Sequence, residues 1–260
     1  MKSRVDIAGI TGITEITNSP DSTTGTKIAS GRLYGIGVGP GDPELLTLKA
    51  LRLLKSAAVV AYQAAEDHDS VARSIVAPYL TGEQTEVCFH FPRSLDPQTA
   101  KASYDQAIAP IADHLTAGRD VAVLCEGDPL FYGSFMYVFT RLSGQFDTEV
   151  VPGVSSPMAC ASALGVPLSY QNDIFSVLSA TLPDAVLAAQ LLNADAVVII
   201  KLRRHFAKVR EVLDRLGLLS RAKYIERATT TAQRIVAIDQ VNADQVPYFS
   251  MIVVPSKVQL

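Results

Sequence analysis

From Gly31 onward the chain alternates between short, nearly continuous apolar runs and longer stretches in which apolar residues recur at helical spacing. The runs RLYGIGV, AAVVAYQ, TEVCFHF and VAVLCEG have the pattern of strands buried on both faces of a sheet, where polar alternation is lost. Between them, LLTLKALRLLKSA, SYDQAIAPIADHLTAG and YGSFMYVFTRLSG carry the periodicity of helices. The first is predicted to start with Asp42 as N-cap and Pro43 at the first helical position. The second is predicted to close at Gly118 and to bend at Pro110, which lacks the N–H that the helix needs.

The second half repeats this theme. TEVVPG, IFSVLSAT, DAVVIIK, KYIERA, RIVAIDQ and YFSMIVVP predict strands, and 155–164, 182–192 and 205–216 predict helices. Alternating strands and helices point to α/β layering. The crowding of strand patterns near the end of the chain predicts a second sheet that is partly antiparallel. The expected fold is therefore two α/β domains, 31–143 and 144–260, divided in the polar stretch SGQFD near Gly144. Residues 1–30, with the segment NSPDSTTGTKIAS, hold few large apolar groups and read as a flexible extension.

Composition narrows the class. Of 260 residues 48% are apolar, enough for cores in two domains, and the net charge is 23 − 26 = −3. A protein that binds nucleic acid through its phosphates carries a basic surplus, so no nucleic-acid partner is expected. Cys88, Cys125 and Cys160 are few and widely spaced; they predict neither a zinc site nor a disulfide framework, but free thiols in a reducing compartment. Four scattered histidines without HxxxH spacing predict no metal site. No apolar stretch approaches the roughly 20 residues of a membrane span, and no secretory leader is visible, so a cytoplasmic protein without a membrane partner is expected.

The candidate chemistry lies where apolar runs end. LYGIGVGPGDPELL is a strand pattern, a turn crowded with Gly35, Gly37, Gly39 and Gly41, and a helix start. Glycine lets a ligand approach the backbone, and a helix N-terminus offers free N–H groups. The spacing GxGxGPGDP departs from the GxGxxG of a dinucleotide-binding turn, although Glu66 or Asp67 stands where a ribose-binding acid is needed. A plain strand-to-helix turn without a ligand is the alternative. In LCEGDPLFYGS, Glu126, Gly127, Asp128 and Pro129 form a second turn; Asp128 suits a ribose or amino group, or else caps the turn. In VVPGVSSPMACASALG, Ser155 and Ser156 are natural N-caps, or hydroxyls for a ligand. Three such loops in this order predict a small-molecule cleft between the two domains.

In that order and separation, GVGPGDPELLT, EGDPLFYGS and PGVSS resemble the tetrapyrrole (class III) S-adenosylmethionine-dependent methyltransferases, over Gly31 to Leu260. The form LYGIGVGPGDPELLTLKALRLL with EGDPLFYGSFMYV is most similar to the subgroup that methylates a meso carbon of an early cobalamin precursor, metal-free or cobalt-loaded. The resemblance implies two α/β domains with S-adenosyl-L-methionine in the cleft between them, a tetrapyrrole substrate and a homodimer. It places Pro40, Glu126, Gly127, Asp128, Phe131, Tyr132, Gly133, Ser155, Ser156, Leu202 and Ala228 at the cofactor. Ser155 and Ser156 stand where relatives often have Thr-Ala, Leu202 where they often have Met, and Glu126 where many have Gly.

On the substrate side Gly39 and Gly41 are expected to shape the cleft. Arg93, Arg203 and Arg204 suit the carboxylates of a tetrapyrrole through paired hydrogen bonds, although Arg203 and Arg204 serve equally as a solvated helix start. The chemistry implied is attack of a ring carbon on a sulfonium methyl, which needs alignment and, at some stage, a base. Glu126 and Tyr132 are the foremost candidates; Asp128, Tyr104 and His90 are others. Two rival classes remain at this level: a nicotinamide-dependent oxidoreductase and a non-catalytic nucleotide-binding regulator.

Overall fold

A computed structural model describes residues 30–64, 69–91 and 97–257. Five parallel strands form the first sheet: β1 (Leu33–Gly37), β2 (Val59–Gln63), β3 (Thr85–Phe89), β4 (Val121–Cys125) and β5 (Thr148–Val151), in the order β3-β2-β4-β1-β5. Strands β1 and β4, at its centre, are buried along their whole length, which is why they read as unbroken apolar runs. Successive residues point to opposite faces. Tyr34 and Ile36 therefore pack with Leu54 of α1 (Leu48–Ser56) and Ile75 of α2 (Val71–Val76). On the other face, Leu33 and Val121 pack with Ile111 of α3 (Pro97–Thr116) and Phe135 of α4 (Phe135–Leu142).

The second sheet has the order β6-β7-β10-β8-β9. β6 (Phe175–Ser179) runs parallel to β7 (Ala196–Ile200), while β10 (Ser250–Val254) runs antiparallel to β7 and to β8 (Lys223–Glu226), and β9 (Arg234–Val236) antiparallel to β8. Its partly antiparallel character is as predicted. Helices α6 (Asp184–Leu192) and α7 (Phe206–Arg215) cover one face, and α5 (Ser156–Leu164) covers the other.

The structure departs from the sequence reading at several points. The break expected near Gly144 falls before β5, and β5 pairs with β1. The chain therefore changes sheets between Val151 and Phe175. Asp42 caps a short 3-10 turn, Pro43–Leu45, by accepting from Glu44 N–H; α1 starts later, behind Thr47, whose hydroxyl accepts from Ala50 N–H. Helix α3 is continuous through Pro110. Pro110 and Gln106, whose carbonyl loses its partner, both lie on the exposed side. The six-residue α2 is too short to show a period and was not predicted. Residues 1–29, Glu66, Asp67 and Arg93 lie outside the described residues. No described helix is long and apolar enough to cross a membrane.

Candidate active site

Every parallel strand of the first sheet ends at the same edge, and ligands of such sheets bind there. The loops after β1, β4 and β5 meet at this edge, backbone against backbone. Gly39 and Gly127 form an isolated antiparallel bridge: Gly127 N–H donates to Gly39 O at 2.7 Å and Gly39 N–H to Gly127 O at 3.3 Å. A Cβ on Gly153 would stand 2.1 Å from Gly127 O, so only glycine permits this approach. Gly127 itself has φ +64°, a left-handed conformation natural to glycine. The three glycine-bearing motifs that the sequence presents in series thus form one cluster.

Asp128 fastens the cluster. Its Oδ1 accepts from Leu130 N–H at 2.9 Å and its Oδ2 from Gly153 N–H at 3.2 Å. Both carboxylate oxygens therefore hold backbone, one within its own turn and one across to the loop after β5. Ser155 occupies the N-cap position of α5, but its side chain makes no capping hydrogen bond. The capping role expected of it is not the one it has. Pro40 and Gly41 lie at the far side of the first loop. A Cβ on Gly41 would meet Thr230 at 2.4 Å and Ala228 O at 3.2 Å, both carried by the second sheet. Asp42 N–H donates to Thr229 Oγ1 at 3.1 Å. The loop after β8 therefore closes against the first glycine loop.

The loop after β7 comes to the same place. Lys201 Nζ stands 5.1 Å from the centre of the Tyr132 ring, a cation–π contact between the two sheets. Leu202 is fully buried in the core of the second sheet, so it offers the cleft its backbone and not its side chain. Ala228 is likewise buried. Arg203 and Arg204 are exposed and form a 3-10 turn at the start of α7, a solvated helix start. Phe131 and Tyr132 are half-exposed and edge-to-face, whereas Gly133 is buried under the turn.

Backbone strain marks this edge as special. Among the described residues six non-glycine residues have positive φ: Tyr132, Gln171, Lys201, Arg203, Arg227 and Thr229. All but Gln171 belong to the loops just described. Such conformations cost about 1–3 kcal/mol each and collect where function requires a fixed shape.

The candidate bases fall into two groups. Glu126 is largely withdrawn from water; its Oε1 accepts from Ala72 N–H at the start of α2, and burial raises its pKa above the ordinary carboxylate range. Tyr132 lies under Lys201. By contrast, Tyr104 stacks on Tyr137 at 4.6 Å within an aromatic group on α3 and α4, and His90 Nδ1 is paired with Ala64 O. Asp128 is engaged by backbone. Tyr248, at the entry to β10, was not singled out in the sequence because an aromatic before a strand has no distinguishing pattern. Burial raises its phenol above the ordinary range, the Glu126 charge raises it further and Arg203 lowers it.

Comparison with known proteins agrees with the geometry. The sequence pattern of the Tetrapyrrole (Corrin/Porphyrin) Methylases matches residues 32–241. Cobalamin biosynthesis protein CobIJ of Mycobacterium tuberculosis is 44% identical over 87% of this chain, which spans 46% of that longer protein, about half its length. The Precorrin-2 C(20)-methyltransferase of a Sinorhizobium species is 39% identical over 88% of this chain and 96% of its own length. The crystal structure of Uroporphyrin-III C-methyl transferase from Thermus thermophilus, complexed with S-adenyl homocysteine, aligns with a TM-score of 0.61 and 29% identity over 86% of this chain and 96% of that one. The nicotinamide alternative finds no support, since β4 lies between β1 and β2 where the dinucleotide fold has them adjacent. The chain belongs to the tetrapyrrole (corrin/porphyrin) methylases.

Proposed function

We propose that this chain transfers a methyl group from S-adenosyl-L-methionine to C-20 of precorrin-2 in cobalamin biosynthesis. The observation that carries the reading is the 39% identity to a Precorrin-2 C(20)-methyltransferase across nearly the whole of both chains. The cleft suits the cofactor. Glycine backbones at Gly37 and Gly153 pack too closely for any Cβ and hold the first-sheet loops together, and the buried Leu202 and Ala228 belong to the loops that meet them from the second sheet.

The cofactor supplies a methyl group activated on sulfonium sulfur. The chain's part is to align that methyl with the ring carbon, and alignment of this kind is worth several kcal/mol of barrier. Loops held by glycine contact, by Asp128 and by strained residues do not have to reorganise at the moment of reaction. Arg203 and Arg204, exposed at the cleft mouth, meet substrate carboxylates in this reading. Glu126 and Tyr132 are the groups beside the converging loops that can take the ring proton. The working unit is a cytoplasmic homodimer in the same reading, supported by exposed apolar side chains such as Met136, Tyr137, Met158 and Ile174, which a second copy can cover.

The deciding experiment supplies methyl-labelled S-adenosylmethionine with precorrin-2 or with its cobalt complex. Label is expected in the tetrapyrrole, and transfer to neither form sinks the assignment. Calorimetry with S-adenosylhomocysteine tests the cofactor separately: absence of binding at millimolar ligand excludes it.

A further inference from the structure

We propose that Glu226, at the end of β8, is a positioning residue of the cleft: its carboxylate ties both ends of the 227–233 loop and so holds Thr229 against the first glycine loop. This rests on the methyltransferase reading, in which Ala228 of that loop adjoins the cofactor.

Glu226 is 5% exposed, and a buried carboxylate is tolerated only with partners. It has three. Tyr224 donates its hydroxyl to Oε1 at 2.9 Å, and Oε2 faces Arg234 Nη1 at 3.3 Å and Arg227 Nη1 at 3.7 Å. Arg227 and Arg234 are the residues at which the loop leaves β8 and enters β9. The β8–β9 ladder already sets Glu226 opposite Arg234, and this one carboxylate adds a side-chain tie between the two ends of a seven-residue connection.

What the loop does when closed is also visible. Arg227, at φ +46°, donates its N–H to Phe249 O at 2.8 Å; its own carbonyl accepts from Thr230 N–H and Thr230 Oγ1. Gln233 Oε1 accepts from Thr229 N–H at 2.7 Å. Thr229, at φ +68°, is thereby fixed with its hydroxyl on Asp42 N–H. Thr229 and Arg227 sit in strained conformations that persist only if the surroundings dictate them. Glu226 does not face the cleft; it acts through the loop. Packing alone does not account for it, because an apolar residue would fill the site beside Tyr224 without desolvating a charge.

The test measures S-adenosylhomocysteine binding by calorimetry on the full chain and on Glu226→Gln, Arg234→Met, Thr229→Val and the Arg234→Met/Thr229→Val double variant. Glu226→Gln keeps an acceptor for Tyr224 and loses the charge that draws the arginines. It is expected to raise Kd about tenfold, and each of the other single changes about threefold. Arg234 is largely exposed, so its variant folds even if that of Glu226 does not. Because both act through one loop, the double variant should weaken binding by about three- to fivefold and not by the product of the two. In turnover, KM for S-adenosylmethionine should rise while kcat stays within about twofold, a split that a general loss of stability does not produce. Unaltered affinity in Glu226→Gln and Arg234→Met, or strict multiplication in the double variant, overturns the proposal. If the unaltered chain itself fails to bind, the cofactor reading falls first.

Discussion

The two sheets bring their loops to the same cleft by opposite means. In the first, close approach is achieved by omission: at Gly37 and Gly153 there is no side chain, and backbones touch. In the second, Lys201, Arg203, Arg227 and Thr229 carry full side chains through left-handed φ values that glycine would adopt freely, as Tyr132 alone among the described non-glycine residues does in the loops of the first. The first device is conformationally inexpensive in the folded state and needs only the right residue. The second stores about 1–3 kcal/mol at each position and needs a rigid surround to enforce it. That surround is the buried Glu226 with its arginines, the buried Leu202 and the clamp of Arg227 N–H on Phe249 O. Half-buried Glu126 and buried Glu226 show the same contrast. Glu126 in the first half has backbone N–H as its partner, whereas Glu226 in the second has two guanidiniums.

This contrast can be broken most forcefully at Gly153. Gly153→Ala places a methyl group against Gly127 O and should cost about 3 kcal/mol of stability, read by denaturant unfolding, and abolish S-adenosylhomocysteine binding. Wild-type stability there would show that the glycine contacts are not obligatory. Next in size is Asp128→Ala, which frees two backbone N–H groups. A loss of about 1–3 kcal/mol and roughly tenfold weaker ligand binding are expected, and unchanged affinity would remove Asp128 from the site.

Glu126→Gln probes the acid that is held by backbone N–H and not by a guanidinium. A carboxyl whose pKa is raised on folding binds its proton more readily in the native state than in the unfolded one. Stability is then greatest below the ordinary carboxylate pKa and falls as pH rises through the raised native value. The glutamine variant should lack this fall, and urea midpoints measured from pH 4 to pH 8 would show parallel curves if the acid were not perturbed. The smallest effects come from relieving strain. Gln171→Gly, outside the cleft, should stabilise by up to about 1 kcal/mol and leave binding unchanged. Lys201→Gly should relieve similar strain yet weaken S-adenosylhomocysteine about threefold, since the loop shape and the Tyr132 contact go with it. Equal binding in both would mean that strain at Lys201 has no functional counterpart.

The same contrast explains what was legible in the sequence. The layering, the ten strand patterns and the antiparallel character of the second sheet follow from apolar runs whose periods are visible in isolation. Glycine and proline mark the loops of the first sheet, so GVGPGDP, EGDP and PGVSS stand out. In the second sheet KLRRH and ERATT carry no such mark, because the left-handed backbone there is imposed by tertiary contacts that no local pattern records. Thr229 and Lys201 carry no signal in the sequence for that reason, and Glu226 and Tyr248 carry none because burial and partners across a loop leave no local pattern. The misplaced division at Gly144 has a related cause: SGQFD is polar and loop-like, but membership of a sheet is decided by pairing, and β5 finds its partner far back at β1.

That late crossing has a mechanical consequence. Helix α5 begins beside Gly127, with Ser155 and Ser156 within 4 Å of where that glycine's Cβ would be, while its body is embedded among Val198, Ile225 and Val253 of the second sheet. It is thus a strut rooted in one half and starting in the other. The few residues from Pro152 to Ser155 join the end of β5 to the start of this helix. The chain that crosses there is thus a covalent tether between the halves, running beside the noncovalent contacts of Lys201 with Tyr132 and of Thr229 with Asp42.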